Sequence, residues 1–199
     1  KIWVGTKGGG LNRYDRETGY FEVFGPAHHQ GALQSNRIES LVEDENGILW
    51  IGTSKGVWST PAANPGVFLQ HTSLHARNLF LEDNTWLWIG TSQGLYRYSI
   101  KDRKMTPLST RHKDFFDVET NISITRVIKD RAGVLWIGTS ASGLFEYHPS
   151  IDKLINHQAN PRQSGSISGN QIRALYIDKQ GRFWVGAKSD GLNLFDPQT

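Results

Sequence analysis

Seven histidines, three recurrent aspartates and a run of three glycines are the residues of this 199-residue chain whose types could do chemistry. His28-His29 and His71 with His75 could each form a metal pair, but no carboxylate stands near either at a recurrent ligand spacing. Asp44, Asp130 and Asp178 could act as general acids or calcium ligands. Each falls in its own Asp-x-x-Gly turn, where aspartate commonly binds backbone amides, and that is the role expected of them. Gly8-Gly9-Gly10 could cradle a phosphate only if a helix followed, and Leu11-Asn12-Arg13-Tyr14 reads as strand. The chain has no cysteine and no Gly-x-Ser-x-Gly elbow, and no serine that the sequence pairs with a histidine and an acid. No metal and no cofactor is expected.

The elements that carry these residues follow from an internal repeat. Five segments align: Ile2-Trp3-Val4-Gly5-Thr6, Leu49-Trp50-Ile51-Gly52-Thr53, Leu87-Trp88-Ile89-Gly90-Thr91, Leu135-Trp136-Ile137-Gly138-Thr139 and Phe183-Trp184-Val185-Gly186-Ala187. Their tryptophans are 47, 38, 48 and 48 residues apart, a period that suits a four-stranded propeller blade. Within one unit, Ile38 to Val42 is a first strand, Asp44-Glu45-Asn46-Gly47 a turn, and Ile48 to Thr53 a second strand. A third strand is expected from Val57 and a fourth near Val67-Phe68-Leu69. The turn recurs at Asp130-Arg131-Ala132-Gly133 and Asp178-Lys179-Gln180-Gly181. In the third unit Glu82-Asp83-Asn84-Thr85 stands there, and a distorted turn is expected because threonine resists the left-handed conformation. A helical solenoid shares the period, but helical spacing is absent and the recurring signals are β-branched, aromatic and turn-forming.

The chain therefore reads as all-β, a β-propeller fragment of about five four-stranded antiparallel repeats with the first and last incomplete. The units are expected at about 1–26 (partial), 36–70, 76–110, 122–158 and 170–199 (partial). The repeated tryptophans are expected to pack between neighbouring sheets rather than to stack on sugars. Gly52, Gly90, Gly138 and Gly186 are expected to let those sheets approach.

The motif Leu-Trp-Ile-Gly-Thr-x-x-Gly-Leu, preceded by Ile-x-x-Leu-x-x-Asp-x-x-Gly and followed by Asn12-Arg13-Tyr14-Asp15 or Asn193-Leu194-Phe195-Asp196, resembles the two-component regulator propeller repeat. Ser35-Asn36-Arg37-Ile38 and Ser168-Gly169-Asn170-Gln171-Ile172 are similar to the Ser-x-Asn-x-Ile start of that repeat, whereas Val57-Trp58-Ser59-Thr60 departs from its usual ending. The resemblance implies the periplasmic sensor region of an inner-membrane-anchored bacterial signalling protein, a histidine kinase or a diguanylate cyclase (GGDEF) protein. No part of such output machinery is in this sequence.

A net charge of +3 with scattered Lys and Arg offers no stripe for a phosphate backbone, so no nucleic-acid partner is expected. No stretch is apolar and long enough for a transmembrane helix, and Lys1-Ile2-Trp3-Val4-Gly5 reads as a strand rather than a signal peptide. Function is then expected in the loops that differ between repeats. Two sets count: the connections His28 to Arg37, His71 to Arg77, Arg111 to Ser123 and Asn160 to Gln171, and the short loops after each Trp strand. Asn36, Arg37, Arg77, Arg126, Asn170 and Arg173, where the chain begins each repeat, are the expected ligand-binding residues, suited to an anionic or sugar-like ligand. Two readings stand. One is a non-enzymatic module that binds a small molecule, a glycan fragment or a partner protein. The other is a propeller-fold enzyme, either a lyase with His71 and His75 beside its most irregular repeat or a glycoside hydrolase. Against the hydrolase, the Asp-box pattern of sialidases puts glycine two residues after aspartate, and Gly47 is three after Asp44. The chain cannot close a conventional ring by itself, so the remainder of a propeller in the parent protein and self-association of the isolated piece are both expected.

Overall fold

The computed structural model describes residues 1–27, 33–112 and 122–196. They form five antiparallel meanders. The first holds β1 (Ile2–Gly5), β2 (Leu11–Tyr14) and β3 (Phe21–Phe24). The second is complete, with β4 (Ile38–Glu43), β5 (Ile48–Thr53), β6 (Gly56–Pro61) and β7 (Leu69–Thr72). The third runs β8 (Asn78–Glu82), β9 (Trp86–Thr91), β10 (Gly94–Ser99) and β11 (Lys104–Pro107). The fourth runs β12 (Ile124–Lys129), β13 (Leu135–Thr139), β14 (Leu144–His148) and β15 (Lys153–His157). The fifth holds β16 (Ile172–Ile177), β17 (Phe183–Ala187) and β18 (Leu192–Phe195). Among the described residues the expected plan holds: three complete repeats, a first sheet without its first strand and a last without its fourth.

The chain divides into two compact units, residues 1–89 with 97–105 and residues 90–96 with 106–199. In unit 1, β4 packs on β1, and β8 packs on β4 and β5. Leu11, Phe24, Ile38, Leu49, Ile51 and Trp58 form a core there, with Trp3 against it. In unit 2, β16 packs on β12 and β13 around Trp136, Leu144, Ile172, Leu175, Phe183 and Val185.

Close approach of sheets explains the glycine after the Trp-Ile or Trp-Val pair in the first, second and fourth sheets. A Cβ on Gly138 would lie 2.8 Å from Ile172 Cγ2 of the next sheet, and one on Gly5 would lie 2.6 Å from Ile38 Cγ2. Gly186, in the last sheet, meets only Ala174 of its own sheet. The tryptophans follow the same logic. Trp50, Trp88 and Trp136 are 4%, 2% and 1% exposed, whereas Trp3 and Trp184 in the outer sheets are half-buried. A ring of ~150–250 Å² fully removed from water contributes at most about 4–6 kcal/mol.

Two expectations need correction, the fourth strand of the second repeat and the turn of the third. The fourth strand of the second repeat starts at Leu69, the last residue of the expected stretch, and runs on to Thr72, so His71 lies in a strand rather than in a connection. The short spacing of 38 reflects no lost strand: only residues 73–77 separate β7 from β8, against 158–171 between β15 and β16. Gly47, Gly133 and Gly181 take positive φ (72°, 86° and 83°) as expected. In the third repeat Thr85 is spared that strain, because Asp83 and Asn84 adopt φ of 48° and 51° in its place, and the Thr85 N–H closes the turn on Glu82 O at 3.1 Å. Short polar side chains tolerate the left-handed region, so this hairpin closes regularly with a shifted turn.

Candidate functional site

The recurrent aspartates belong to the framework. Asp130 Oδ1 accepts the backbone N–H groups of Ala132 and Val134, both at 2.9 Å, and its Oδ2 accepts the Trp136 indole N–H at 2.9 Å. Asp44 binds Asn46, Ile48 and Trp50 in the same way, and Asp178 binds Gln180, Arg182 and Trp184. In the third repeat Glu82 Oε2 accepts the Trp88 indole N–H at 2.9 Å, its extra methylene reaching across the altered hairpin. Each aspartate thus closes a turn with its carboxylate, and each acid of the set fixes the indole six residues on. The role in the turn was expected; the bond to tryptophan was missed, although the constant spacing of six was visible. Burial pushes the Asp178 carboxyl up, but hydrogen bonds from Arg182 and Trp184 prevail and hold it at about 2.

Among the described residues no group of three His, Asp or Glu could hold a metal ion. His71 Nε2 lies 2.8 Å from Ser59 Oγ and its Nδ1 2.9 Å from Tyr98 Oη, while His75 Nε2 lies 3.3 Å from Glu39 Oε1. The two rings have no hydrogen-bonding partner in common. His28 and His29 lie outside the described residues. A further cluster went unforeseen: Glu146 accepts from His148 Nε2 at 2.6 Å and from His157 Nε2 at 2.8 Å.

Of the expected ligand residues, the asparagines carry structure. Asn36 O accepts the Gly10 N–H and Asn170 O the Gly143 N–H, both at 3.0 Å, tying the loop after one repeat's Trp strand to the start of the next repeat. Asn170 Oδ1 also accepts the Ala159 N–H at 2.7 Å. The arginines do not all occupy equivalent positions. The first strands bulge at Glu39, Thr125 and Arg173, as shown by register shifts between Ile38 and Ser40, Ile124 and Arg126, and Ile172 and Ala174. Ala76 donates to Thr53 O as Ile38 does to Thr6 O, so Arg77 also stands at the bulge position. Arg37 precedes that position by two residues and Arg126 follows it by one.

In unit 1, Arg37 is half exposed, and its Nε donates to Glu39, which also accepts from His75. Burial raises the Glu39 carboxyl, yet these two donors outweigh it and leave the group below its ordinary value. The Leu79 N–H, bound to Ser40 Oγ at 3.0 Å, brings the strands that follow Arg37 and Arg77 together. In unit 2, Thr125 Oγ1 donates to Ile172 O at 2.8 Å, so the neighbouring residues Arg126 and Arg173 lie on adjoining first strands. Arg126 is exposed and turns back to Thr125 O, and Arg173 is exposed. Unit 1 thus offers Arg37 balanced by a carboxylate, and unit 2 offers an exposed pair.

Comparison with known proteins agrees with this geometry. The Two component regulator propeller family matches residues 32–55, 119–141 and 166–189. Histidine kinase P4 of Formosa agariphila is 30% identical over 193 residues, which is 97% of this chain and 11% of that protein. The extracellular domain of BT4673 from B. thetaiotaomicron, described as a one component system, superposes with a TM-score of 0.80 at 25% identity, over 96% of this chain and 25% of that one. The extracellular domain of BT3049, described as a hybrid two component system, shares the fold at a TM-score of 0.78 and 21% identity, over 98% and 25%. The chain therefore spans about a quarter of these solved domains and about a ninth of the curated relative. With its acid-clamped tryptophans and bulged first strands, this chain is a stretch of β-propeller, and three of its segments match the two component regulator propeller family.

Proposed function

We propose that this chain is part of the periplasmic sensor region of a bacterial signal-transduction protein, where it recognises a ligand and passes the event to an attached kinase or cyclase. The observation that carries this reading is its likeness to an extracellular signalling domain over almost its whole length. The chemistry agrees with binding rather than turnover, because each repeated acid holds an indole. Arg126 and Arg173 are the side chains best placed to meet an anionic or sugar-like ligand, being exposed on adjoining strands. Arg37 would have to leave Glu39 to do the same.

A thermal-shift screen with anionic and neutral sugars tests the site. The Arg126→Ala/Arg173→Ala double variant is expected to abolish ligand-induced stabilisation while leaving the unliganded Tm within a few degrees of the parent. Full binding of every hit by the double variant would remove both residues from the site.

The outer sheets expose apolar side chains: Ile2, Val4 and Phe21 on the first, and Tyr176, Leu192 and Leu194 on the fifth. Further repeats in a longer parent would cover them, as β16 covers β12 and β13. Light scattering on the isolated chain is expected to show self-association at micromolar concentration, and a strict monomer that binds no hydrophobic dye would contradict this.

A further inference from the structure

β7 is held to its sheet by an unusual device. Its register runs Val57↔Thr72 and then Trp58↔Gln70, which leaves His71 as the extra residue of a bulge. A bulged residue has no ladder partner, so its anchoring falls to the side chain. His71 Nε2 lies 2.8 Å from Ser59 Oγ on β6 and Nδ1 lies 2.9 Å from Tyr98 Oη on β10. The ring centroid is 4.7 Å from that of Trp50 on β5 and 5.6 Å from that of Tyr98. One imidazole therefore links the outermost strand of the second sheet to the third sheet.

The surroundings suit a neutral ring. Two hydroxyls complement either tautomer and could also accept from a doubly protonated ring, so burial rather than the hydrogen-bond pattern disfavours the charged form. Among the groups around it, Tyr98 is itself pushed up by burial, Asp44 is turned to the Trp50 indole N–H, and Arg103 acts through space. None of these offsets the charge of a second proton on the ring.

We propose that His71 is an acid-sensitive latch: protonation of its ring releases β7 from Ser59 and Tyr98 and opens the outer edge of the second sheet, while the rest of unit 1 stays packed. Burial, with a smaller contribution from Arg103, lowers the ring to about 4 from its ordinary value of 6.5. The opened state therefore takes up the proton first as pH falls. The closed latch has its full stability above about pH 6.5 and loses it progressively down to about pH 4. The first sheet carries an untitratable version of the same contact, with Phe24 on β3 stacked 5.7 Å from Trp3.

Native-state hydrogen exchange of the Gln70, His71 and Thr72 amides, corrected for intrinsic rates at each pH, reads the latch directly. Protection in β7 is expected to fall by up to about thirtyfold between pH 7.5 and pH 5, from the difference in proton affinity between open and closed rings. His71→Phe, which copies the Phe24 contact, should abolish that fall. Unchanged protection in the parent, or the same fall in His71→Phe, would overturn the latch. Should His71→Phe fail to fold, the imidazole C–H resonance of His71 in the parent decides the matter. A midpoint near 4 supports the latch, and one at 6 or above contradicts it.

Discussion

Trp50 in unit 1 and Trp136 in unit 2 occupy the same place in their repeats, and what covers them differs. Both indoles donate to an aspartate six residues earlier, at 3.0 and 2.9 Å. Over Trp50 lie His71 and Tyr98, joined through hydroxyl and imidazole to Ser59. Over Trp136 lie His157 and Phe195, with ring centroids at 5.9 and 5.6 Å, and the imidazole turns to Glu146 instead. The framework of glycine, tryptophan and acid is kept because sheet spacing and turn closure demand it. The cover needs only an apolar face and a satisfied polar edge, which several residue sets supply. Variation collects where the physics admits alternatives.

The largest expected effect separates inner from outer sheets. Trp136→Ala should lower stability by about 3–5 kcal/mol, the usual range for an emptied aromatic site. Trp184, half-buried in the last sheet, should lose clearly less, although the repeat pattern makes the two equivalent. Equal losses in chemical denaturation would erase the distinction. Next comes the clamp. Asp130→Ala leaves two backbone N–H groups and one buried indole N–H without their acceptor, so a loss of about 2–4 kcal/mol is expected from the cost of unsatisfied donors. A loss below 1 kcal/mol would show that water replaces the carboxylate.

Much of this was legible in the sequence. The five Trp-Gly segments identified the sheets, the strand order within them and the incomplete ends, because a buried ring and a sheet-spacing glycine admit few substitutes. The hairpin glycines were equally plain. Other features were hidden for physical reasons. The β7 position slipped because a bulge breaks the alternation that strand reading depends on. The third-repeat turn was misjudged because Asp83 and Asn84 shift the left-handed residues without changing the loop's length. Arg37, Arg77, Arg126 and Arg173 looked alike in the linear sequence, but relative to the bulge Arg37 and Arg126 are displaced from the position that Arg77 and Arg173 share. His157 and Glu146 pair across neighbouring strands, a contact that depends on register and not on spacing along the chain.

Smaller effects sharpen the comparison. Gly138→Val places a side chain into Ile172 and should cost about 1–3 kcal/mol, the range for overpacking. Gly186→Val meets only its own sheet and should be tolerated better. Equal thermal shifts for the two would show that the glycine serves the strand rather than the approach of sheets. Smallest is an acid effect in the last repeat. The Asp178 carboxyl, held at about 2, contributes stability that is full above its ordinary value near 3.8 and is lost as pH falls toward 2. Asp178→Asn should flatten the stability profile of unit 2 between pH 4 and pH 2; an unchanged profile would assign the acid loss elsewhere.

The central claim, that each acid clamps its repeat's indole between packed sheets, is tested most directly by hydrogen exchange at the indole N–H groups. Slow exchange is expected at Trp50, Trp88 and Trp136, faster exchange at half-buried Trp184, and loss of protection at Trp136 alone in Asp130→Ala. Trp136 exchanging as fast as a free indole in the parent, or unaltered protection at Trp136 in that variant, would contradict it.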